Sequence, residues 1–488
     1  MFEHVLCVYP YRRELNRVGF FPPLGLEAIA AVLQPHSRAI DVVDLRRETG
    51  HTKDFLRPET DLVCFSINWD REAEFVRAEV LSVPPGILTV VGGRHATEDP
   101  DGWLKSLPNV DVLVRGDGEE AVEELCRGRG LEEIAGISFR RDGRIFHNPN
   151  RHLQAVRDDL YPDRRLRRYV YEVEAENIRI PLAIDGITAS RGCPFNCRFC
   201  SFGLNPWGER RSWSARSPES VVAELAEVDA PVVGFSDDLF TFDMDRVERI
   251  CDLILARGIR KKYLLNARLE VAKRPEVLRK MERAGFAMLM VGIESAHDKT
   301  LRSMRKGFDT AKIREYCQML RHSSMVIHGY FILGNIGESV EEMSQIAPFA
   351  RELHLDTIAI SVLRHSAYSG LDDLVAQHPN YHIGPNGKIY SDHCSVSELR
   401  NLRRRIVREF YTAGQILRIC RKGVQNDTLG VIPRLLPHVP AFGWRLAQNP
   451  LRRAWRRRSR RRKARRLLEG QMPKLALLRS FGGGPESG

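Results

Sequence analysis

Three cysteines lie close together in the segment RGCPFNCRFCS: Cys193, Cys197 and Cys200, with the spacing C-x3-C-x2-C. Thiolates spaced this way in a loop can converge on one small face, as an iron-sulfur cluster requires. No fourth cysteine is near, so one iron of such a cluster would stay open to an exchangeable ligand. Tetrahedral structural zinc is the competing chemistry, but it asks for a fourth Cys or His, and neither lies close by. The chain has ten cysteines in 488 residues, too few for a disulfide scaffold. Cys7 and Cys64 fall inside runs that read as buried strands, where a thiol packs as a small apolar side chain.

The elements that must carry this loop alternate along the chain. Over residues 1–150, HVLCVY, AIDVVDL, DLVCFSI, ILTVVGG and DVLVRG read as strands, and PLGLEAIAAVL, REAEFVRAEVL and GEEAVEELC read as helices. That alternation predicts an α/β fold with a doubly wound parallel sheet, covered on both faces. Ligands of such sheets bind beyond the strand carboxyl ends. The residues there are Ser66, Ile67 and Asn68; Gly92, Gly93, Arg94 and His95; and Gly116, Asp117, Gly118 and Glu119. Helix N-termini after Gly93 and Gly118 would add free amide donors. No GxGxxG follows the first strand, which argues against a nicotinamide cofactor. GISFRRDGRIFHN, with Asp142-Gly143 at its turn, predicts a closing β-hairpin.

Residues 151–182 read as a linker, helical from Arg164 to Glu176. Over 183–365 a second alternation begins. AIDGITAS runs into the cysteine loop, PVVGFS ends at Asp237-Asp238, YLLNAR ends at Arg268, AMLMVGIES ends at Glu294-Ser295, MVIHGYFIL ends at Gly334, and DTIAISVL follows. Six βα units predict a partial (β/α)6 TIM-type barrel, whose active face lies at the strand C-terminal ends. Asp237, Asp238, Arg268, Glu294 and Ser295 should therefore point toward one site. In a purely structural reading, the two aspartates start the helix at Met244 and Glu294 pairs with a buried arginine. Ser217-Pro218 supplies an N-cap and first turn before SVVAELAEV. Residues 366–470 are expected to be mainly helical, and 471–488 a flexible tail. His393 and Cys394 read as pocket or core residues.

Hydrophobic residues make up 43% of the chain and charged residues 28%, which excludes a disordered polymer. No apolar run approaches the roughly 18 residues of a membrane span. Met1 to Leu6 lacks the pattern of a secretory leader, so a cytoplasmic protein is expected. The net charge is +12, yet LRRAWRRRSRRRKARR at 451–466 holds eleven Arg or Lys and no acid, which leaves a nearly neutral body. This arm, with Trp455 and its leucines, suits peripheral attachment to an anionic membrane better than nucleic acid, with a plain solvated helix end as the third reading.

With Phe199 before its last cysteine, the CxxxCxxC loop resembles that of the radical S-adenosylmethionine (SAM) superfamily. The resemblance implies a [4Fe-4S] cluster on Cys193, Cys197 and Cys200, SAM on the open iron, and reductive cleavage of SAM to a 5′-deoxyadenosyl radical. By the same resemblance, SDD at Asp237-Asp238 takes the place of the motif that receives the SAM amino group. GIES, with Glu294 and Ser295, lies near the ribose. The segment GYFILGNIGES, with Gly334, lies near adenine, and Arg305 is a candidate for the SAM carboxylate. FPPLGLEAIAAVL, VVGGRHAT and VLVRGDGEEAVEEL extend the resemblance to the branch with an N-terminal Rossmann-like cobalamin-binding domain, over about residues 3 to 362. That implies cobalamin held by Ser66, Asn68, Gly92, Gly93, Arg94, His95, Gly116, Gly118 and Glu119. No DxHxxG motif is present, so no histidine ligand to cobalt is implied. The branch's chemistry is methyl transfer to a substrate radical, with electrons from a reductase, flavodoxin or ferredoxin.

FSINW, RGIRKKY and the triad context further resemble hopanoid C-3 methylases, which implies a small-molecule or lipid substrate. Oxidative ring closure, as in anaerobic Mg-protoporphyrin ester cyclases, is the first alternative. An RNA-modifying enzyme is the second, although Cys7, Cys64 and Cys126 lie too far apart for the extra cluster of methylthiotransferases. A cluster-based sensor is the third.

Overall fold

The computed structural model describes residues 1–12, 21–69, 72–152, 155–175, 178–365, 368–384 and 387–426. The basic arm, the C-terminal tail and the rest of the region after 426 lie outside the described residues. The chain divides into two units, one built on Met1–Leu153 and Leu160–Arg179, the other on Gln154–Asp159 and Ile180–Pro437.

The first unit is a seven-stranded sheet made of β1 (Phe2–Tyr9), β2 (Ser37–Asp44), β3 (Thr60–Ser66), β4 (Leu88–Gly92), β5 (Val112–Val114), β6 (Ile137–Arg141) and β7 (Arg144–His147). Its order is β2-β1-β3-β4-β5-β6-β7. The first five strands are parallel, and β6 and β7 return antiparallel as a hairpin. Around the sheet run α1 (Leu24–Leu33), α2 (Ala73–Leu81), α3 (Arg94–Glu98), α4 (Pro100–Ser106) and α5 (Glu119–Cys126). The strands are almost continuous apolar runs because both sheet faces are covered. Cys7 and Cys64 pair in register and are buried within this core. The order 2-1-3-4-5 reverses direction between β1 and β3, the switch point where doubly wound sheets take their ligands.

The stretch Arg164 to Glu176 departs from the expected helix. It forms one 3-10 turn at Arg164–Leu166 and then β8 (Glu172–Ala175). Its side chains are held individually by the first unit: Arg167 ion-pairs with Glu27 at 2.7 Å, and the Tyr171 hydroxyl donates to Asp44 at 3.0 Å. These long-range pairs override a charge pattern that suits a solvated helix.

The second unit begins with β9 (Ile178–Ile187), followed by a two-residue ladder of β10 (Ser190–Arg191) with β11 (Ser214–Ala215). The remaining strands are β12 (Val232–Phe235), β13 (Lys262–Ala267), β14 (Phe286–Glu294), β15 (Val326–Leu333) and β16 (Thr357–Val362). From β9 through β12 to β16 neighbours pair in parallel and in sequence order, giving the six-stranded partial barrel. Helices α6 (Pro218–Glu227), α7 (Met244–Ala256), α8 (Pro275–Ala284), α9 (Asp298–Ser303), α10 (Thr310–Leu320), α11 (Val340–Ser344) and α12 (Ile346–Glu352) separate the strands. The Ser217 hydroxyl accepts from the Ser220 amide and caps α6, with Pro218 at its first turn. α7 is capped by Asp243, which frees Asp237 and Asp238 from that role.

After the barrel come α13 (Leu371–Ala376), α14 (Val396–Phe410) and α15 (Ala413–Gln425). A short antiparallel pair, β17 (Tyr381–Ile383) with β18 (Ile389–Ser391), interrupts the expected helical run. Cys394 belongs to the barrel core, and His393 is exposed. No helix among the described residues is long and apolar enough to cross a membrane.

Candidate active site

The cysteine loop leaves the first barrel strand and is held from three sides. The two aspartates ending β12 brace its entry. Asp237 accepts from the Ala189 amide at 2.9 Å and the Ser190 hydroxyl at 2.5 Å, and Asp238 accepts from the Gly192 amide at 2.8 Å. From the far side, Arg198 gives its amide to Met304 O at 3.0 Å and its guanidinium to Ser303 O at 3.2 Å. Arg210 donates to Pro194 O at 2.7 Å. The backbone turns tightly through the triad, with Cys200 N donating to Cys197 O at 3.1 Å.

Burial pushes the Cys200 thiol up to about 12, with the charges of Cys197 and Cys193 adding to the rise and Lys306 opposing it. Cys193 is raised for the same first reason. These thiols stay protonated until a metal displaces the proton. Among the described residues no three His, Cys, Asp or Glu side chains close tightly on a single point. Cys193 and Cys197 lie near enough to Cys200 for their charges to bear on its thiol, as ligands of one cluster must.

Above the loop, side chains from three strand ends meet. Lys306, 6% exposed, ion-pairs with Glu294 at 2.9 Å, and its ammonium lies 5.7 Å from the Phe199 ring and 5.6 Å from Phe308. Glu294 therefore pairs with a lysine, where a purely structural reading of the sequence expected an arginine. Arg268 stacks 3.6 Å from the centre of the Phe195 ring, pairs with Glu270 at 3.0 Å and donates to Lys306 O at 3.1 Å. The Ser295 hydroxyl donates to buried Glu338 at 2.6 Å, and Asn335 donates to the same carboxylate at 2.9 Å. Burial raises the Glu338 pKa. Asn335 Oδ1 is buried with no partner, an acceptor left for a ligand or water. Gly334 adjoins Asn335 in the chain; its amide meets the Met343 sulfur at 3.1 Å, and the place its Cβ would take lies 3.0 Å from Leu399 of α14. Arg305, the carboxylate candidate, is exposed with φ +52°, and its neighbour Lys306 turns inward instead.

Burial also pushes the Asp237 carboxyl up to about 7, against the pull of its bonds from Ser190 and Ala189. Because this lies above the ordinary value of 3.8, the stabilisation from the neutral carboxyl is complete below that value and is lost as pH rises through the folded pKa. Asp237→Asn is neutral at every pH, so its unfolding midpoint should gain on the wild type's from about pH 4 to about pH 7; parallel midpoints would contradict the assignment. Asp237→Ala strands two buried donors and should cost about 1–3 kcal/mol.

The first unit presents a second cluster of side chains at the ends of β3, β4 and β5. Asn68 Nδ2 donates to Ser66 Oγ at 2.9 Å, and Asn68 Oδ1 accepts from the Arg94 amide at 3.2 Å. Ile67 O takes the His95 amide at 3.0 Å, and Gly116 N donates to Thr97 Oγ1 at 3.1 Å. Ser66, Asn68, Gly92, Gly93, Arg94, His95 and Gly116 thus share one edge. Gly118 and Glu119 open α5 beside it, with Gly118 packed on Ile29. The His95 ring is occupied within its own segment, 3.7 Å from Glu98 and edge-on to Trp103. Sequence patterns had not marked Tyr11, whose hydroxyl takes the Asn68 and Trp69 amides at 2.8 Å each. Trp69, 44% exposed, donates its indole N–H to Tyr9. An edge of small residues with aromatics beside it lets a large ligand approach the backbone.

Comparison with known proteins identifies the two domains. Residues 187–350 match the radical SAM superfamily and residues 15–126 match the B12 binding domain. An uncharacterized methyltransferase, PH0819, of Pyrococcus horikoshii is 27% identical over 69% of this chain and 74% of its own. The hopanoid C-3 methylase of Methylococcus capsulatus is 29% identical over 66% of this chain and 63% of its own. The anaerobic magnesium-protoporphyrin IX monomethyl ester cyclase of Cereibacter sphaeroides is 29% identical over 56% and 46%. The chain thus spans less than two thirds of the last two. Among solved structures, TsrM of Kitasatospora setae, a radical SAM methyltransferase with cobalamin and a [4Fe-4S] cluster bound, superposes with a TM-score of 0.64 at 16% identity. That match covers 85% of this chain and 82% of the other. The two domains imply a [4Fe-4S] cluster, SAM and cobalamin as cofactors, and the protein is an enzyme. With a B12 binding domain ahead of its radical SAM domain, the chain belongs to the cobalamin-binding branch of the radical SAM superfamily.

Proposed function

We propose that this enzyme transfers a methyl group to an unactivated carbon of a small-molecule or lipid substrate, with a polycyclic lipid of the hopanoid class as the first candidate. The observation that carries the reading is the joining, in one chain, of a braced three-cysteine loop and a cobalamin-type strand edge. Relatives named as methyltransferases or methylases support it. When bound, the cluster with SAM supplies a hydrogen-abstracting radical, and cobalamin supplies the methyl group.

The chain's own residues position these groups. Cys193, Cys197 and Cys200 hold the cluster, and Asp237 and Asp238 fix their loop. Glu294, Ser295, Arg268 and Phe199 shape the SAM pocket. Ser66, Asn68, Gly92, Gly93, Arg94, His95, Gly116, Gly118 and Glu119 cradle cobalamin. A flavodoxin-type or ferredoxin-type reductase delivers electrons, and residues 451–466 hold the enzyme to an anionic membrane surface.

Two adjacent cations, Arg305 and Lys306, compete for the SAM carboxylate, and burial beside Phe199 favours Lys306. Lys306→Met should weaken SAM binding to iron-loaded protein at least about tenfold and cost about 3–5 kcal/mol by stranding Glu294, with Lys306→Arg restoring part of both. Arg305→Met should change little; the reverse ranking in SAM titrations would assign the role to Arg305.

Similarity to the ester cyclase favours a second reading, oxidative ring closure. Product mass separates the two. A hopanoid incubated with the reduced enzyme and SAM gains a methyl under the first reading. A product that only loses hydrogen would replace it with the second.

A further inference from the structure

Helix α15 is amphipathic in the reverse sense. Gln415 and Lys422, with Asn426 just beyond the helix, face the protein, while Arg421 and Gln425 are exposed. Gln415 donates to the carbonyls of Leu355 and Asp356 at 2.6 Å each, Lys422 ion-pairs with buried Asp356 at 2.6 Å and donates to Met325 O at 2.9 Å, and Asn426 donates to Ser324 O. These contacts fix the helix across the N-terminal ends of β15 and β16. Ile419 is half-buried, but the other large apolar side chains face outward: Ile416 is 53% exposed, Leu417 72% and Val424 52%, with Cys420 exposed between them. At positions i, i+1, i+4 and i+8 they form one stripe. Burying polar groups so that apolar ones face water is unfavourable unless something covers the stripe.

The surroundings indicate what covers it. α14 ends two residues earlier and exposes Arg400, Arg403, Arg404, Arg405 and Arg408 against Glu398 and Glu409, a net positive face. A stripe about 12 Å long offers a few hundred Å², where a stable dimer asks for about 1,000 Å². The chain's own residues 427–450 contain one acid, Asp427, and cannot answer the surrounding positive charge. Nucleic acid would answer the charge but not the stripe.

We propose that the outward face of α15 docks on an anionic lipid bilayer, its apolar stripe entering the headgroup boundary while the neighbouring arginines meet lipid phosphates. The surface lies at the strand N-terminal end of the barrel, opposite the cysteine loop, so docking leaves the cluster end free. The proposal shares its lipid partner with the reading of the basic arm but rests on different residues.

The test uses full-length, iron-loaded and cobalamin-loaded protein with vesicles of phosphatidylcholine, alone or mixed with phosphatidylglycerol. The wild type is expected to sediment with the mixed vesicles, and the double variant Leu417→Glu, Val424→Glu to bind at least about tenfold more weakly, with iron content and SAM cleavage unchanged. In the unaltered protein, Cys420 should react with a soluble maleimide and become shielded on adding mixed vesicles. Three results would overturn the proposal. The variant binds vesicles like the wild type. Cys420 is already shielded without vesicles, which would place a second copy or residues 427–450 on the stripe. Duplex RNA shields Cys420 as well as vesicles do. If deletion of 451–488 abolishes vesicle binding while the stripe variant keeps it, the arm reading survives and this one fails.

Discussion

Alanine in place of Cys193, Cys197 or Cys200 is expected to abolish reductive SAM cleavage while leaving cobalamin uptake intact. Each thiol sits in a loop whose backbone is already fixed by Asp237, Asp238, Arg198 and Arg210, so its loss removes a ligand without rearranging the others. The drop in 5′-deoxyadenosine formation should exceed the roughly 10- to 100-fold that a supporting residue of a metal site costs. Iron content should fall with it, while cobalt per chain stays at the wild-type level because the cobalamin edge belongs to the other unit. A variant that cleaves SAM without its cluster would contradict the assignment of these cysteines.

Gly93→Ala should produce the opposite loss. Gly93 has φ 103° and ψ 166°, a conformation essentially closed to other residues. An added Cβ would stand 2.6 Å from Ile67 O and 2.8 Å from Asn68 Oδ1. The ends of β3 and β4 must then part, taking Asn68 and the Arg94 amide with them. Strain of about 1–3 kcal/mol at that edge corresponds to roughly a 5- to 150-fold weaker hold on cobalamin, read from the visible absorption of bound cobalamin during titration. Gly86 supplies the control: it also has positive φ, but nothing lies within 4 Å of its absent Cβ. Gly86→Ala should lose some stability and keep cobalamin. Equal cobalamin affinity in the Gly93 variant and the wild type would remove this edge from the binding site.

The cysteine loop and the strand ends were legible in the sequence because their information is local. Three ligands fall within one turn of chain, and each parallel strand announces itself as a short apolar run ending in small or polar residues. Contacts made across the barrel were not legible. Lys306 meets Glu294 and Phe199 only after β14 and α9 fold back, and in the string RSMRKG nothing distinguishes it from exposed Arg305. Ser190 and Asp237 are 47 residues apart, and Ser295 and Glu338 are 43 apart. The linker at 164–176 misled in the other direction: its mixed charges suit a helix, yet they are spent on single partners such as Glu27 in the first unit. α15 hides its role similarly, since a helix pattern does not tell which face turns inward.

The central claim is that one chain carries both a SAM-cleaving cluster and cobalamin. Its most direct test is anaerobic reconstitution with iron, sulfide and hydroxocobalamin, metal analysis of the purified protein, and assay of 5′-deoxyadenosine and S-adenosylhomocysteine after SAM and reductant are added. The account predicts about four irons and about one cobalt per chain, with both SAM products formed. Iron and 5′-deoxyadenosine with no bound cobalt would contradict it.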